Sequence, residues 1–285
     1  MIRIGTRGSA LALAQAHLVA ERLDVDVEIR ILRTAGDTSD RPIRELGDGV
    51  FVTVLEEALR AGEIDLAVHS LKDLPTEESA DLVIAAIPTR EDPRDVLVTR
   101  SRDGLFGLRR GAVVGTSSPR RAAFLRALRP DAIAREIRGN VDTRLRKVRD
   151  GEYDAVVVAA AGLRRLRIAF DEGEALPIEL CPPAPGQGAL AVQVRARDDE
   201  LAATLAALDD PATRIAVTAE RALLRAMGAS CEIPLGAIGR YAAGTVELDA
   251  ALAGDDGVRR ASARGSDPHD VARRTAEALG APAHV

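Results

Sequence analysis

The chain has 285 residues, 46% hydrophobic and 2% aromatic, with no Trp and a formal net charge of −5. That length suggests two or three domains, and an acidic chain poor in stacking rings argues against a general nucleic-acid surface. Two cysteines, Cys181 and Cys231, make no disulfide framework, and no apolar run approaches the ~18 residues that span a bilayer.

The N-terminus MIRIGTRGSALALAQ lacks the apolar core of a signal peptide, so a soluble cytoplasmic protein without a membrane partner is expected. Residues 2–5 read as a strand, and Ser9 caps a helix through about residue 23 with Ala10, Leu11, Ala14 and Leu18 at helical spacing. Residues 27–32 are a second strand, 51–60 a helix, and 66–69 a strand ending in a polar cluster; 82–87 and 96–98 are further strands. This βαβ rhythm predicts a mostly parallel sheet with helices on both faces. It restarts near residue 112, with strands at 112–115, 133–137 and 155–160 and helices from the TSSPRR segment to about 128 and over 141–149.

PTREDP at 88–93 and the Pro- and Gly-rich CPPAPGQG at 181–188 read as two crossings between these α/β units, which makes 189–194 a late strand of the first. Domain 1 is thus expected over 1–88 plus 189–207 and domain 2 over 94–182. Residues 211–285 form a small α+β domain 3, opening with a helix over 212–227 that Gly228 ends. Short strands at 237–241 and 246–252 and a helix near 269–279 follow, with little signal after about 253.

The chemistry gathers at strand ends, where open α/β sheets bind ligands. His69-Ser70-Leu71-Lys72-Asp73-Leu74-Pro75 places charged groups where burial is costly unless they are paired. It is either a solvated Lys–Asp loop or a carboxylate held beside anion-binding groups. Gly115-Thr116-Ser117-Ser118-Pro119-Arg120-Arg121 opens a helix, and hydroxyls, free N–H groups and two guanidiniums there suit an anion. Arg138-Gly139-Asn140 repeats the device with Arg144 one turn on, Thr6-Arg7-Gly8-Ser9 supplies a version in domain 1, and Arg164 and Arg165 follow another strand. Their recurrence predicts a cleft that holds a polyanion. No metal signature, GxGxxG or Walker pattern occurs.

HSLKDLP at 69–75, GTSSPRR at 115–121, IRGNVDTRL at 137–145 and ASCEIPLG at 229–236, in this order and spacing, resemble the hydroxymethylbilane synthase (porphobilinogen deaminase) family across almost the whole chain. The resemblance implies three domains, the first two doubly wound and periplasmic-binding-protein-like with a double crossover. It also implies a cytoplasmic, monomeric transferase of porphyrin and haem biosynthesis. The family joins four porphobilinogens head to tail, with loss of ammonia, on a dipyrromethane cofactor, and releases a linear tetrapyrrole by hydrolysis. By the same resemblance Cys231 carries the cofactor through a thioether and Asp73 is the catalytic carboxylate. Cofactor binding falls to Ser70, Lys72, Thr116, Ser118, Arg120, Arg121, Arg138, Gly139 and Arg144, and substrate binding to Arg7, Ser9 and Arg165; Gln187 falls in the family's hinge. The acetate and propionate arms of each pyrrole match arginine-rich strand ends. A carboxylate among cations stays ionised, and can assist proton transfer and steady a cationic pyrrole.

One departure stands out. Where the family usually has a basic Gly-Gly-Lys-Gly loop, this chain reads Leu46-Gly47-Asp48-Gly49-Val50-Phe51, with Arg41 and Arg44 nearby. Cys181, beside Pro182, is read as a small apolar residue. A non-enzymatic solute-binding or sensing protein would also have two α/β units, a hinge and an anionic ligand, but not Cys231 in its loop. A phosphate-ester transferase would need the metal or P-loop pattern that the sequence lacks.

Overall fold

A computed structural model describes residues 1–32, 52–77, 79–100, 102–169, 173–228, 233–254 and 256–281. The loop with Arg41, Arg44 and Asp48, and the cysteine at 231, lie outside the described residues. The chain divides into two compact units, Met1–Glu91 with Ala189–Ile215, and Asp92–Gly188 with Ala216–Val285.

The first unit is built on β1 (Ile2–Arg7), β2 (Val27–Leu32), β3 (Leu66–Ser70), β4 (Leu82–Ala86) and β10 (Leu190–Arg195), in the order β2-β1-β3-β10-β4. β1 runs parallel to β2 and β3, whereas β10 is antiparallel to both β3 and β4. In the second unit β5 (Asp95–Thr99), β6 (Val113–Gly115), β7 (Ile133–Arg135), β8 (Ala155–Ala159) and β9 (Gly173–Ala175) take the order β7-β6-β8-β5-β9. There β6 is parallel to β7 and β8, and β5 is antiparallel to β8 and β9.

The two sheets therefore share one plan. In each, the fourth position is filled by the strand that adjoins a crossing, β10 after residues 181–188 and β5 after residues 88–93. The expected mostly parallel sheet holds, with one reversed strand in each unit, β10 in the first and β5 in the second. Neither reversal was readable, because an apolar run carries no direction.

Alternation along β3 explains its two covered faces. Leu66 and Val68 join Ile4, Ala16, Val192 and Leu205 on one side, while Ala67 joins Leu55, Leu59 and Ile64 on the other. Ser9 caps the helix Ala10–Ala20 by accepting from Ala12 N; this helix stops three residues before the expected end. In unit 2, Phe124 and Leu97 centre one core and Val96, Val156 and Ile137 the other.

The helix Pro211–Ala226 is followed by an antiparallel sheet of β11 (Leu235–Ala242), β12 (Thr245–Gly254) and β13 (Gly257–Gly265), covered by the helix Pro268–Leu279. Gly239 is required where β11 meets the Pro211–Ala226 helix, since a Cβ there would stand 2.4 Å from Ala216 O. β13 escaped the sequence reading because GVRRASARG has few apolar residues. It is an edge strand whose arginines Arg259, Arg260 and Arg264 stay in water. The helix Asp199–Leu205 was also unread. Among the described residues no helix is long and apolar enough to cross a membrane, and no His/Cys/Asp/Glu group could hold a metal.

Candidate functional site

In unit 1, β3 ends at Ser70 and passes into a 3-10 turn, Leu71–Asp73, that is anchored by Leu71 N donating to Ala189 O. Leu71 is wholly buried and fixes the turn from below, which leaves Asp73 exposed and Lys72 half-buried. A cavity of about 70 Å³ opens here, lined among others by Arg7, Ser9, Gln15, His69, Ser70 and Asp73. Four predicted site residues, Arg7, Ser9, Ser70 and Asp73, thus share one pocket; Lys72 lies in the same turn but not on the pocket wall. Gln15 Nε2 donates to Ser70 Oγ at 2.8 Å, which orients the hydroxyl. Gln15 and His69 were not assigned by sequence reasoning. A polar residue on the buried face of a helix, as Gln15 is, was the available signal.

In unit 2, Thr116 lies at the end of β6 and accepts from Ser118 N at 3.1 Å, and Ser118 caps the helix Pro119–Leu128 by accepting from Arg121 N. Gly139 has φ +107, a value that favours glycine, and the helix Val141–Arg149 follows. Arg144 Nε donates back to Gly139 O at 2.8 Å. Burial, and then the charges of Arg121 and Arg138, bring the Arg144 guanidinium down to about 10. Three predicted arginines therefore sit within one repulsive field. Arg138 Nη2 is buried and makes no hydrogen bond, while its Nε lies 3.8 Å from Glu136. A carboxylate-bearing group, as dipyrromethane is, would satisfy that donor and quench the repulsion, so the residues present fit it.

Arg120 and Arg121 were expected to face such a group. The structure places both inside, at 4% and 8% exposure. Arg120 donates to Asp95 Oδ2 and Pro182 O, both at 2.6 Å. Arg121 donates to Asp95 Oδ1 at 2.7 Å and to Val157 O at 3.0 Å. Gln187 Nε2 completes the knot on Asp95 Oδ1 at 2.9 Å and also reaches Pro93 O at 2.7 Å. Burial alone would raise the Asp95 carboxyl, but the two guanidiniums hold it far below the usual carboxylate range. Asp95 was missed because its partners lie 25 and 26 residues away. Arg165 donates to Gly188 O at 2.6 Å. Cys181 is buried in the same knot, and burial with Asp95 nearby pushes its thiol up to about 11.

Each unit is thus an α/β body whose strand ends carry cations and hydroxyls suited to carboxylates, one of them with an exposed aspartate in its pocket. Such a body is an α/β protein whose strand ends are suited to anions, with a catalytic carboxylate candidate. Comparison with known proteins narrows the class. Residues 2–203 match the family described as porphobilinogen deaminase, dipyromethane cofactor binding domain, and residues 214–281 the porphobilinogen deaminase C-terminal domain. Porphobilinogen deaminase of Acidothermus cellulolyticus is 51% identical, over 98% of this chain and 88% of that protein. The Roseiflexus castenholzii protein of the same name is 47% identical, over 98% and 95%. Among solved structures, a periplasmic binding protein from Brucella ovis covers 79% of this chain and 68% of its own at 16% identity with a TM-score of 0.43, a likeness too loose to carry an argument. The chain belongs to the porphobilinogen deaminase family. Its function is that of a hydroxymethylbilane synthase, a transferase of tetrapyrrole biosynthesis with a small pyrrole substrate and a dipyrromethane cofactor.

Proposed function

We propose that Asp73 is the carboxylate that meets the aminomethyl nitrogen of porphobilinogen, and that Cys231 holds the dipyrromethane through a thioether. When bound, the cofactor supplies the nucleophilic pyrrole carbon. Arg138 and Arg144, with Gly139, Thr116 and Ser118 at the neighbouring helix starts, take its acetate and propionate arms, and Ser70 and Lys72 act from the β3 turn. Arg7, Ser9 and Arg165 bind the incoming substrate. Arg121 contributes its charge while its donors stay on Asp95 and Val157 O. Arg120 works one layer deeper, by holding Asp95.

Asp73 is exposed at the rim of the Arg7–Ser9–Ser70 pocket, so it can orient an ammonium leaving group without being buried as a charge. The ammonium carries its own proton, and the carboxylate steadies the positive charge that develops as ammonia leaves. The observation that carries this reading is the Arg121–Arg138–Arg144 field with its unsatisfied Arg138 donor.

The intact mass of the purified protein tests it. An excess of two pyrrole units over the sequence mass is expected, lost in Cys231→Ser, and a chain of unmodified mass that still makes product would overturn the assignment. The same reading has the enzyme acting as a monomer in the cytoplasm, and light scattering on the purified chain checks the first.

A further inference from the structure

Gln193, on β10, can be placed in one orientation only. One end of its amide lies 3.1 Å from Glu56 Oε1 and the other 3.1 Å from His69 Nε2. An ionised carboxylate accepts and cannot donate, so the NH2 group faces Glu56 and the amide oxygen faces the imidazole. The ring nitrogen opposite an acceptor carries the hydrogen. His69 is therefore the Nε2–H tautomer, and its Nδ1 is a lone-pair acceptor.

The sheet register makes this chain of contacts possible. β10 pairs antiparallel with β3, with Ala191 opposite His69 and Gln193 opposite Ala67. His69 and Gln193 thus share the face on which Ala67 packs with Leu55 and Leu59 of the helix Thr53–Ala61, and Glu56 comes from that helix. His69 is 5% exposed, and burial, against the Gln193 hydrogen bond, brings its ring down to about 4. Glu56, which pairs with Arg60 on the same helix, reaches the ring through Gln193; Arg7 on β1 and Asp73 line the pocket with His69, and Lys72 lies in the turn that holds Asp73. His69 also lines the pocket that holds Asp73.

We infer that His69 is a substrate-contacting residue: Glu56 and Gln193 act as positioning residues that hold it as the neutral Nε2–H tautomer, so that Nδ1 accepts from an N–H of the incoming aminomethylpyrrole beside Asp73. This rests on the reading of the pocket given above. A neutral acceptor suits a ligand that brings N–H donors, because a protonated imidazole would repel an ammonium and offer no lone pair.

The test uses the holo-protein with 15N-labelled histidine, the His69 signals being assigned by their loss in His69→Gln. The ring should read as neutral Nε2–H from pH 8 down to pH 5. Glu56→Leu frees the Gln193 amide to turn, so it should scramble the tautomer and raise KM for porphobilinogen about tenfold with kcat little changed, the effect of one lost hydrogen bond. Glu56→Gln, whose amide can donate as well as accept, removes the same constraint and should also scramble the tautomer and raise KM, and Gln193→Leu should reproduce Glu56→Leu. A wild-type ring that titrates at its ordinary value, or that carries its hydrogen on Nδ1, would overturn the inference. So would a scrambled tautomer with an unaltered KM. Those results in an active enzyme leave the Asp73 reading standing, whereas full turnover by Asp73→Asn would sink that reading alone.

Discussion

Arg120 donates to Asp95 Oδ2 at 2.6 Å, and the two side chains are almost wholly withdrawn from solvent, at 5% and 0% exposure. With Arg121 and Gln187 on Oδ1, one carboxylate ties a helix start to the 181–188 segment, whose Gln187 also donates to Pro93 O. Removing either partner of a buried pair leaves an uncompensated charge.

Arg120→Leu and Asp95→Asn should each destabilise the chain by roughly 3–5 kcal/mol, read from urea unfolding. A loss under about 1 kcal/mol would mean that water reaches the pair. The acid limb has a definite sign. Asp95 titrates in the folded state far below its unfolded value, so its contribution is fully present above about pH 4 and drains away as pH falls below that. Asp95→Asn should flatten that part of the stability curve.

Arg144→Gln should have opposite effects on stability and on binding. The Arg144 charge is disfavoured by burial and by its two neighbours, and this cost persists at every pH below about 10, easing as pH rises through that value. The variant should therefore melt higher than wild type without ligand at neutral pH. Added inorganic phosphate should raise the melting temperature of wild type more than that of the variant. Equal phosphate responses would show that Arg144 does not hold anions.

Asp73→Asn should fold and carry its cofactor, since the side chain is exposed and the turn is anchored by Leu71. Turnover should fall by roughly 10²–10⁴, the usual worth of a positioned proton-handling group. Mass spectrometry on the same sample establishes loading, so near-normal product formation by loaded protein removes Asp73 from the chemistry.

Cys181 should resist alkylation in the folded protein at pH 8, because a buried thiol pushed up to about 11 is scarcely ionised there. Cys181→Ala should load cofactor and turn over normally. Peptide mapping should find the pyrrole adduct on the Cys231 peptide alone, and an adduct on the Cys181 peptide would transfer the role.

The local vocabulary of this protein was readable from its residues. Ser9 and Ser118 are helix caps because a hydroxyl before a helix can satisfy a free N–H whatever lies beyond it. The strand at 155–160 and the helix at 141–149 followed from apolar spacing, and the two crossings from Pro and Gly. The motif series pointed to the family. Tertiary structure decided what each polar group faces. Arg120, Arg121 and Arg144 look alike in sequence, yet the first two are paired with Asp95, from a strand 25 residues before Arg120, while Arg144 is left among cations. Likewise His69 acquires its tautomer from Gln193, 124 residues on, and through it from Glu56. Caps and periodicities depend on neighbours a turn away, which sequence spacing contains. Charge compensation and proton placement depend on which distant strand lies alongside, and only the folded sheet supplies that.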